Sequence, residues 1–237
     1  MDKLLYELKN NYYATGLKAE FESEGASYDE VKRLKHLAEN VKLPLTLKIG
    51  GCGALRDIID AKTIGVNALV APMIESKYAL NKFIQTYKSV YTEHDIDLYI
   101  NIETLTGYNA LDEIISDNDF KYIKGVVFGR GDMAESIGIN NPEDSKLLNI
   151  GKTIREKIQD KELITGGKIT AESLPFLKEI STDKFETRKI IFDKNATEES
   201  IKKAIEFELM WVKNNTPNNV KRILELEKRK GVLHNVS

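Results

Sequence analysis

Short β-rich runs alternate along most of the chain with longer stretches in which apolar residues return every three or four positions. Such alternation predicts parallel βα units rather than a sandwich. Strands are predicted near 16–22 (GLKAEFE), 44–49 (PLTLKI), 68–74 (ALVAPMI), 97–103 (DLYINIE), 124–129 (KGVVFG), 162–167 (ELITGG) and 188–193 (RKIIFD). Helices between them have recognisable starts. Ser27 followed by Glu30 forms a capping box ahead of Val31, Leu34, Leu37 and Val41, one stripe at helical spacing. Thr197 likewise precedes Glu198 and Glu199, and Ile201, Ala204, Ile205, Leu209 and Val212 then mark a face that should pack on a sheet.

The sequence has no linker rich in Gly, Pro or Ser, so 1–237 reads as one domain. The segment NNTPNNVKR breaks the pattern at Pro217. A charged helix over about 218–230 follows, with Val220, Ile223, Leu224 and Leu226 as its apolar face. Residues 214–237 are thus a C-terminal helical extension, placed to cap a barrel or to reach a neighbouring subunit. A closed parallel barrel carries its active site at the C-terminal ends of its strands. Those ends are charged here: Glu22 and Glu24, Lys48, Glu75, Glu103, Arg130 with Asp132, Lys168 and Asp193. An open doubly wound sheet also binds ligands at strand ends, and only seven strands are legible where a barrel has eight.

Composition narrows the function classes. With 237 residues, 41% hydrophobic and 30% charged, the chain can bury one substantial core. A formal net charge of −2, with basic and acidic residues interspersed, gives no electrostatic case for nucleic acid or an anionic membrane. The start lacks the apolar core of a secretory signal, and no stretch approaches a membrane span, so a soluble cytoplasmic protein is expected. Cys52 is the only cysteine, and His36, His94 and His234 are widely spaced, which disfavours a zinc site. The glycines of GGCGALR lack both the Lys-Ser/Thr of a P-loop and the third glycine of a dinucleotide fingerprint.

Period two along LYINIE sends Leu98, Ile100 and Ile102 to one face and Tyr99, Asn101 and Glu103 to the other, which aims Glu103 into the barrel mouth. The same count in LTLKI puts Thr46 and Lys48 inside. A second acid, Asp132, follows Gly129, Arg130 and Gly131 in VVFGRGDMAESIG, where the glycines let backbone approach a ligand. Two carboxylates from consecutive strands suit Mg²⁺ or Mn²⁺, hard ions that keep waters and accept substrate oxygens. Taken singly, each acid fits equally well as a helix-capping residue. Lys168 after Gly166 and Gly167 offers a Schiff-base alternative, which accounts for fewer of these residues than the carboxylate pair does.

The pairing of NIETLTGYNALDEI with VVFGRGDMAESIG, preceded by KIGGCGALRDIIDAKTIGVNALVAPMIES, resembles the HpcH/HpaI aldolase and citrate lyase beta-subunit superfamily, best over about residues 44–140. The resemblance implies an α/β TIM (β/α)8-type barrel, usually a homo-oligomer. It also implies a divalent metal, Mg²⁺ or Mn²⁺, and a small 2-oxo acid or related carboxylated substrate cleaved at a carbon–carbon bond through a metal-stabilised enolate. By the same resemblance Glu103 and Asp132 are the metal ligands. Lys48 stands where an Arg normally contacts substrate oxygens, Asn101 occupies a polar position on the same strand face, and Gly129, Arg130 and Gly131 belong to the substrate-binding turn. The Asp-Gly-Glu-His-like stretch that supplies the base in the pyruvate aldolases has no counterpart here; Glu22 or Glu24 in EFESEGAS must substitute, or the reaction differs. The other reading is a barrel that keeps its ligand site but serves as a binding or assembly subunit.

Overall fold

The computed structural model describes residues 1–92, 95–216 and 218–234, with side chains through Lys230; His94, Pro217 and the His234 side chain lie outside the described residues. Eight strands close a barrel in chain order: β1 (Ala14–Glu20), β2 (Leu45–Lys48), β3 (Ala68–Ala71), β4 (Asp97–Ile102), β5 (Gly125–Gly129), β6 (Glu162–Gly166), β7 (Lys184–Glu186) and β8 (Ile190–Asp193). Around it run α1 (Asp2–Asn11), α2 (Tyr28–Asn40), α3 (Leu55–Ile64), α4 (Lys77–Val90), α5 (Leu105–Asn109), α6 (Leu111–Ile115), α7 (Arg130–Ser136), α8 (Ser145–Ile158), α9 (Leu174–Glu179) and α10 (Glu198–Asn215). A last helix, α11 (Val220–His234), follows them. Among the described residues no helix is long and apolar enough to cross a membrane.

Local chemistry sets the frame as expected. Ser27 Oγ accepts from the Glu30 amide at 3.2 Å and Glu30 Oε2 accepts from the Ser27 amide at 2.9 Å, so both halves of the capping box form. Val31, Leu34 and Ala38 are buried beneath that helix, and Ile201, Ala204, Ile205, Leu209 and Val212 beneath α10. Burying each of the Val, Leu and Ile side chains among them contributes about 1.5–3 kcal/mol against leaving it in water. Leu98, Ile100 and Ile102 join the core between barrel and helices, whereas Ala68, Val70, Tyr99, Val127 and Ile164 form a separate apolar cluster within the barrel. That cluster fills the barrel below its mouth, so polar residues one pleat higher on the same strand faces stand above a dry floor.

Two features depart from the expected parallel barrel. The eighth strand is β7, three residues long, which no periodicity could reveal. The strand predicted at 188–193 is β8, and it runs antiparallel to both β7 and β1. Only Thr187, Arg188 and Lys189 separate β7 from β8, with the Thr187 amide bonded to Ile190 O at 2.9 Å. A parallel crossover needs a dozen or more residues, so this connection can only make a hairpin. Asp193 therefore pairs with Lys184 at the end of the barrel away from the mouth, and Arg188 and Lys189 take the mouth position instead. From Asp193 the chain climbs back through α10 and folds over in α11. The expected apolar face of α11 is only partly right: Leu226 is buried, but Val220 is 58% and Leu224 59% exposed.

Candidate functional site

Glu103 follows the last residue of β4 and points inward with only 2% exposure. Its carboxylate is fully engaged: Oε1 accepts from the Met73 amide at 2.9 Å, while Oε2 accepts from Asn101 Nδ2 at 2.6 Å and Lys48 Nζ at 3.2 Å. Asn101 stands two residues earlier on the same strand face, so one strand supplies both the acid and the amide that orients it. A side chain at Gly129 would meet Glu103 Cβ at 2.7 Å and Oε2 at 2.9 Å, so the end of β5 must be glycine for Glu103 to sit there. Asn101 Oδ1 is buried without a partner. A buried acceptor of this kind is costly unless something occupies the space before it.

Lys48 also reaches Glu22 Oε2 at 2.8 Å, which makes it the bridge between two carboxylates. Burial opposes its charge, but Glu103 and Glu22 outweigh burial and hold the ammonium above its ordinary value. Asp132 enters from the first turn of α7, open to the mouth on one side. Loss of hydration on its other side, together with the charge of Glu103, pushes its carboxyl up from 3.8 to about 6. Two facing acids that resist joint ionisation form a donor pair whose repulsion a divalent cation relieves. Among the described residues no group of three or more His, Cys, Asp or Glu side chains gathers as a metal cage. The donor set is therefore two carboxylates with positions left for water and substrate, the arrangement magnesium prefers. Asn101 lines the same cavity, so the residues present fit such an ion.

Deeper in the barrel lies a second ionic group that the sequence reading overlooked. Lys18 Nζ is 2.7 Å from Glu20 Oε1 and also bonds Glu186 Oε1, all three residues being almost fully buried. Burial opposes ionisation, yet Lys18 and Ser23 hold the Glu20 carboxyl down to about 2. Against the same desolvation, Glu186 and Glu20 keep the Lys18 ammonium charged. Period two in GLKAEFE already aligns Lys18, Glu20 and Glu22 on one face, a usable signal. Glu186 gave none, because it lies in the three-residue β7.

These groups line a cavity of about 430 Å³ that includes Glu22, Lys48, Asn101, Glu103, Gly129, Gly131 and Asp132 from the predicted set, with Lys168. Two predicted residues stand apart. Glu24 turns behind β1 to bond Lys189, with Arg188 Nε at 3.6 Å, and lines a separate cavity against α10. Arg130 is fully buried, its guanidinium donating to Glu143 Oε2 at 2.9 Å, Gly167 O at 3.1 Å and Ser173 Oγ at 3.0 Å. It also lies over the Phe176 ring, 4.7 Å from the centroid. Arg130 thus ties the loops after β5 and β6 together, and only the backbone of its turn faces the mouth. Gly167, at φ +86°, lies so close to that turn that a Cβ there would come within 2.4 Å of the Gly131 nitrogen.

The model of one protein family, HpcH/HpaI aldolase/citrate lyase, matches residues 52–168. That span contains Asn101, Glu103 and Gly129 to Asp132, and it leaves out Lys18, Glu22, Lys48 and the β7–β8 hairpin. Comparison with curated protein sequences gives no match. Among solved structures, the HpcH/HpaI aldolase from Desulfitobacterium hafniense DCB-2 superimposes with a TM-score of 0.65 at 13% identity, over 78% of this chain and 80% of its own. A HpcH/HpaI aldolase/citrate lyase family protein from Burkholderia cenocepacia J2315 gives 0.66 at 11% identity, over 90% and 91%. The citrate synthase SbnG gives 0.62 at 15% identity, over 89% of each chain. At these identities the likeness is one of fold. The sequence match carries the kinship: residues 52–168, just under half of the chain, match the HpcH/HpaI aldolase/citrate lyase family model.

Proposed function

We propose that the chain is a divalent-metal-dependent carbon–carbon lyase of the aldolase or citrate lyase type, acting on a small 2-oxo acid or related carboxylate. The observation that carries this reading is the meeting of Glu103 and Asp132 at the barrel mouth, with Lys48 Nζ at 3.2 Å from Glu103 Oε2 and an unpartnered Asn101 oxygen beside them. Glu103 and Asp132 would hold Mg²⁺ or Mn²⁺, which when bound supplies a Lewis acid to a substrate carbonyl. The chain's own groups do the rest.

Cleavage beside a carbonyl moves the electron pair of the broken bond onto an oxygen, and an ammonium fixed nearby stabilises that charge more in the transition state than in the ground state. Lys48 is such an ammonium, charged at neutral pH and held in place from two sides. As a point charge it orients a carboxylate less strictly than an arginine fork does. Glu22 lines the same cavity and would take the proton from a substrate hydroxyl; Glu24 is withdrawn from that role because it turns to Lys189 and lines a separate cavity. No histidine lines the mouth among the described residues. This favours, as a second reading, a barrel that binds its carboxylate ligand without cleaving it.

Turnover of a panel of 2-oxo and hydroxy acids and acyl-CoAs, measured with Mg²⁺ or Mn²⁺ and again with chelator, separates the two. The lyase reading expects metal-dependent cleavage that Glu103→Gln and Asp132→Asn abolish. Full activity of either variant in chelator sinks it, and ligand binding without turnover supports the second reading.

A further inference from the structure

In the wall of the cavity two carboxylates share one ammonium. Lys18 Nζ lies 2.7 Å from Glu20 Oε1 and bonds Glu186 Oε1, so with all three groups ionised the trio keeps one surplus negative charge in a buried place. Such a charge is costly out of water, and a proton on one of the two carboxyls removes it. The surroundings decide which one takes it. Glu20 has a second donor, Ser23 Oγ on Oε2, and despite burial Lys18 and Ser23 hold its carboxyl down to about 2. For the Glu186 carboxyl Lys18 is the one donor among the described residues, and burial, reinforced by the charge of Glu20, raises it against the pull of Lys18 and Lys48. Two acids pushed apart in this way divide the roles of charge carrier and proton carrier.

The backbone is built to admit Glu186. Gly129 and Gly166 are register partners at the ends of β5 and β6. A Cβ at Gly166 would come within 2.8 Å of Glu186 Oε1 and 3.1 Å of its Cγ, just as one at Gly129 would strike Glu103. Each glycine thus makes room for a carboxylate of the strand beside it, Glu103 after β4 and Glu186 at the end of β7. Both carboxylates line the one cavity of about 430 Å³, on either side of the paired glycines. Lys18 takes Glu186 Oε1, which leaves Oε2 without a protein partner among the described residues. A 2-oxo acid seated at Glu103 and Asp132 would occupy space that Glu186 borders. Lys18 and Lys48 line that space too, but both ammonium groups are held above their ordinary value against burial and so part with a proton poorly. A protonated carboxyl gives one up far more readily.

We propose that Glu186 is the acid that protonates the enolate carbon after cleavage, with Lys18 and Glu20 as its positioning partners. This rests on the lyase reading, which leaves an enolate that must gain a proton before the 2-oxo acid departs. The electron pair of the enolate C=C bond takes the carboxyl proton as the O–H bond of Glu186 breaks, and the C=O bond re-forms. Glu186 is left as a carboxylate beside Lys18 and regains a proton from water once the product has gone, while the proton that Glu22 took from the substrate hydroxyl returns to water. The net change is one proton moved from substrate oxygen to substrate carbon.

Pyruvate in D₂O with Mg²⁺ is the probe, because the same step run backwards strips a methyl proton without any carbon–carbon cleavage. The full chain is expected to exchange the methyl protons for deuterium, followed by proton NMR. Glu186→Gln and Glu186→Met are expected to slow that exchange about a hundredfold or more, with Glu186→Asp in between, while Mn²⁺ affinity and melting temperature stay at wild-type values. Both variants should fold, since removing the surplus carboxyl leaves Lys18 paired with Glu20. Wild-type exchange in either variant overturns the proposal and leaves the lyase reading standing. Exchange lost only in proportion to Mn²⁺ affinity also overturns it, since Glu186 would then merely support the metal site. Absence of exchange in the wild-type protein overturns the lyase reading and this proposal with it.

Discussion

Replacing Gly129 by alanine tests the site's construction directly. The added methyl would lie 2.7 Å from Glu103 Cβ and 2.9 Å from Oε2, about 0.7 and 0.5 Å inside ordinary contact at 3.4 Å. Neither side yields easily: Gly129 ends a paired strand, and Glu103 is held by Met73, Asn101 and Lys48. Overpacking of this kind costs about 1–3 kcal/mol. Pushing Glu103 aside also weakens charge-assisted hydrogen bonds contributing about 1.5–3 kcal/mol each. A net loss of about 2–3 kcal/mol corresponds to a melting temperature lower by roughly 4–12 °C in a chain of this size. Thermal denaturation followed by circular dichroism, paired with Mn²⁺ titration, is the assay. Gly51→Ala is the control, because nothing lies within 4 Å of a methyl there, and it should melt as wild type. A Gly129→Ala protein with wild-type melting and wild-type Mn²⁺ affinity refutes the argument that this glycine seats Glu103.

Asp132 should set the pH dependence of metal binding. Its folded carboxyl is raised from 3.8 to about 6, so protons compete with the metal below that value. Mn²⁺ affinity should fall as pH drops through about 6, by up to about tenfold per unit, and a flat profile between pH 5 and 8 contradicts this. In metal-free protein the same shift acts on stability with the opposite sense: ionising Asp132 costs folded-state stability above about pH 6 and nothing below about pH 3.8, so Asp132→Asn should stabilise the apo form at pH 7 but not at pH 3.5. Lys18→Met should strand Glu20 and Glu186 in the barrel without their cation, a loss of about 3–5 kcal/mol by urea denaturation. An unchanged urea midpoint would show that the three residues are not an obligate unit.

How much of this was legible in the chain follows from the range of each interaction. Period two assigned Asn101 and Glu103 to the barrel interior because strand side chains alternate whatever surrounds them, and the structure places both there. Lys48 and Asp132 followed from the same local rule and a glycine-flanked strand end. Capping residues fixed where α2 and α10 begin, since a cap needs only its own first turn. Arg130 belongs to the expected substrate-binding turn, but its side chain is drawn inward to Glu143, Gly167 and Ser173, because a sequence shows that an arginine is present but not which way a two-glycine turn throws it. Glu24 failed likewise, since its partner Lys189 is brought to it only by the closing of the barrel.

By itself, then, the sequence determined the βα frame and the inward acids, all properties of neighbours within a few residues. Tertiary structure decided the rest. A hairpin of two short strands reversed the last staple of the barrel, putting Arg188 at the mouth and Asp193 at its far end. The fold-back of α11 turned a charged helix inward, so that Arg222 and Arg229 joined residues more than fifty positions earlier in the chain. Charges at such separations meet only when the chain closes on itself, and no local pattern can encode which of them will face the same cavity.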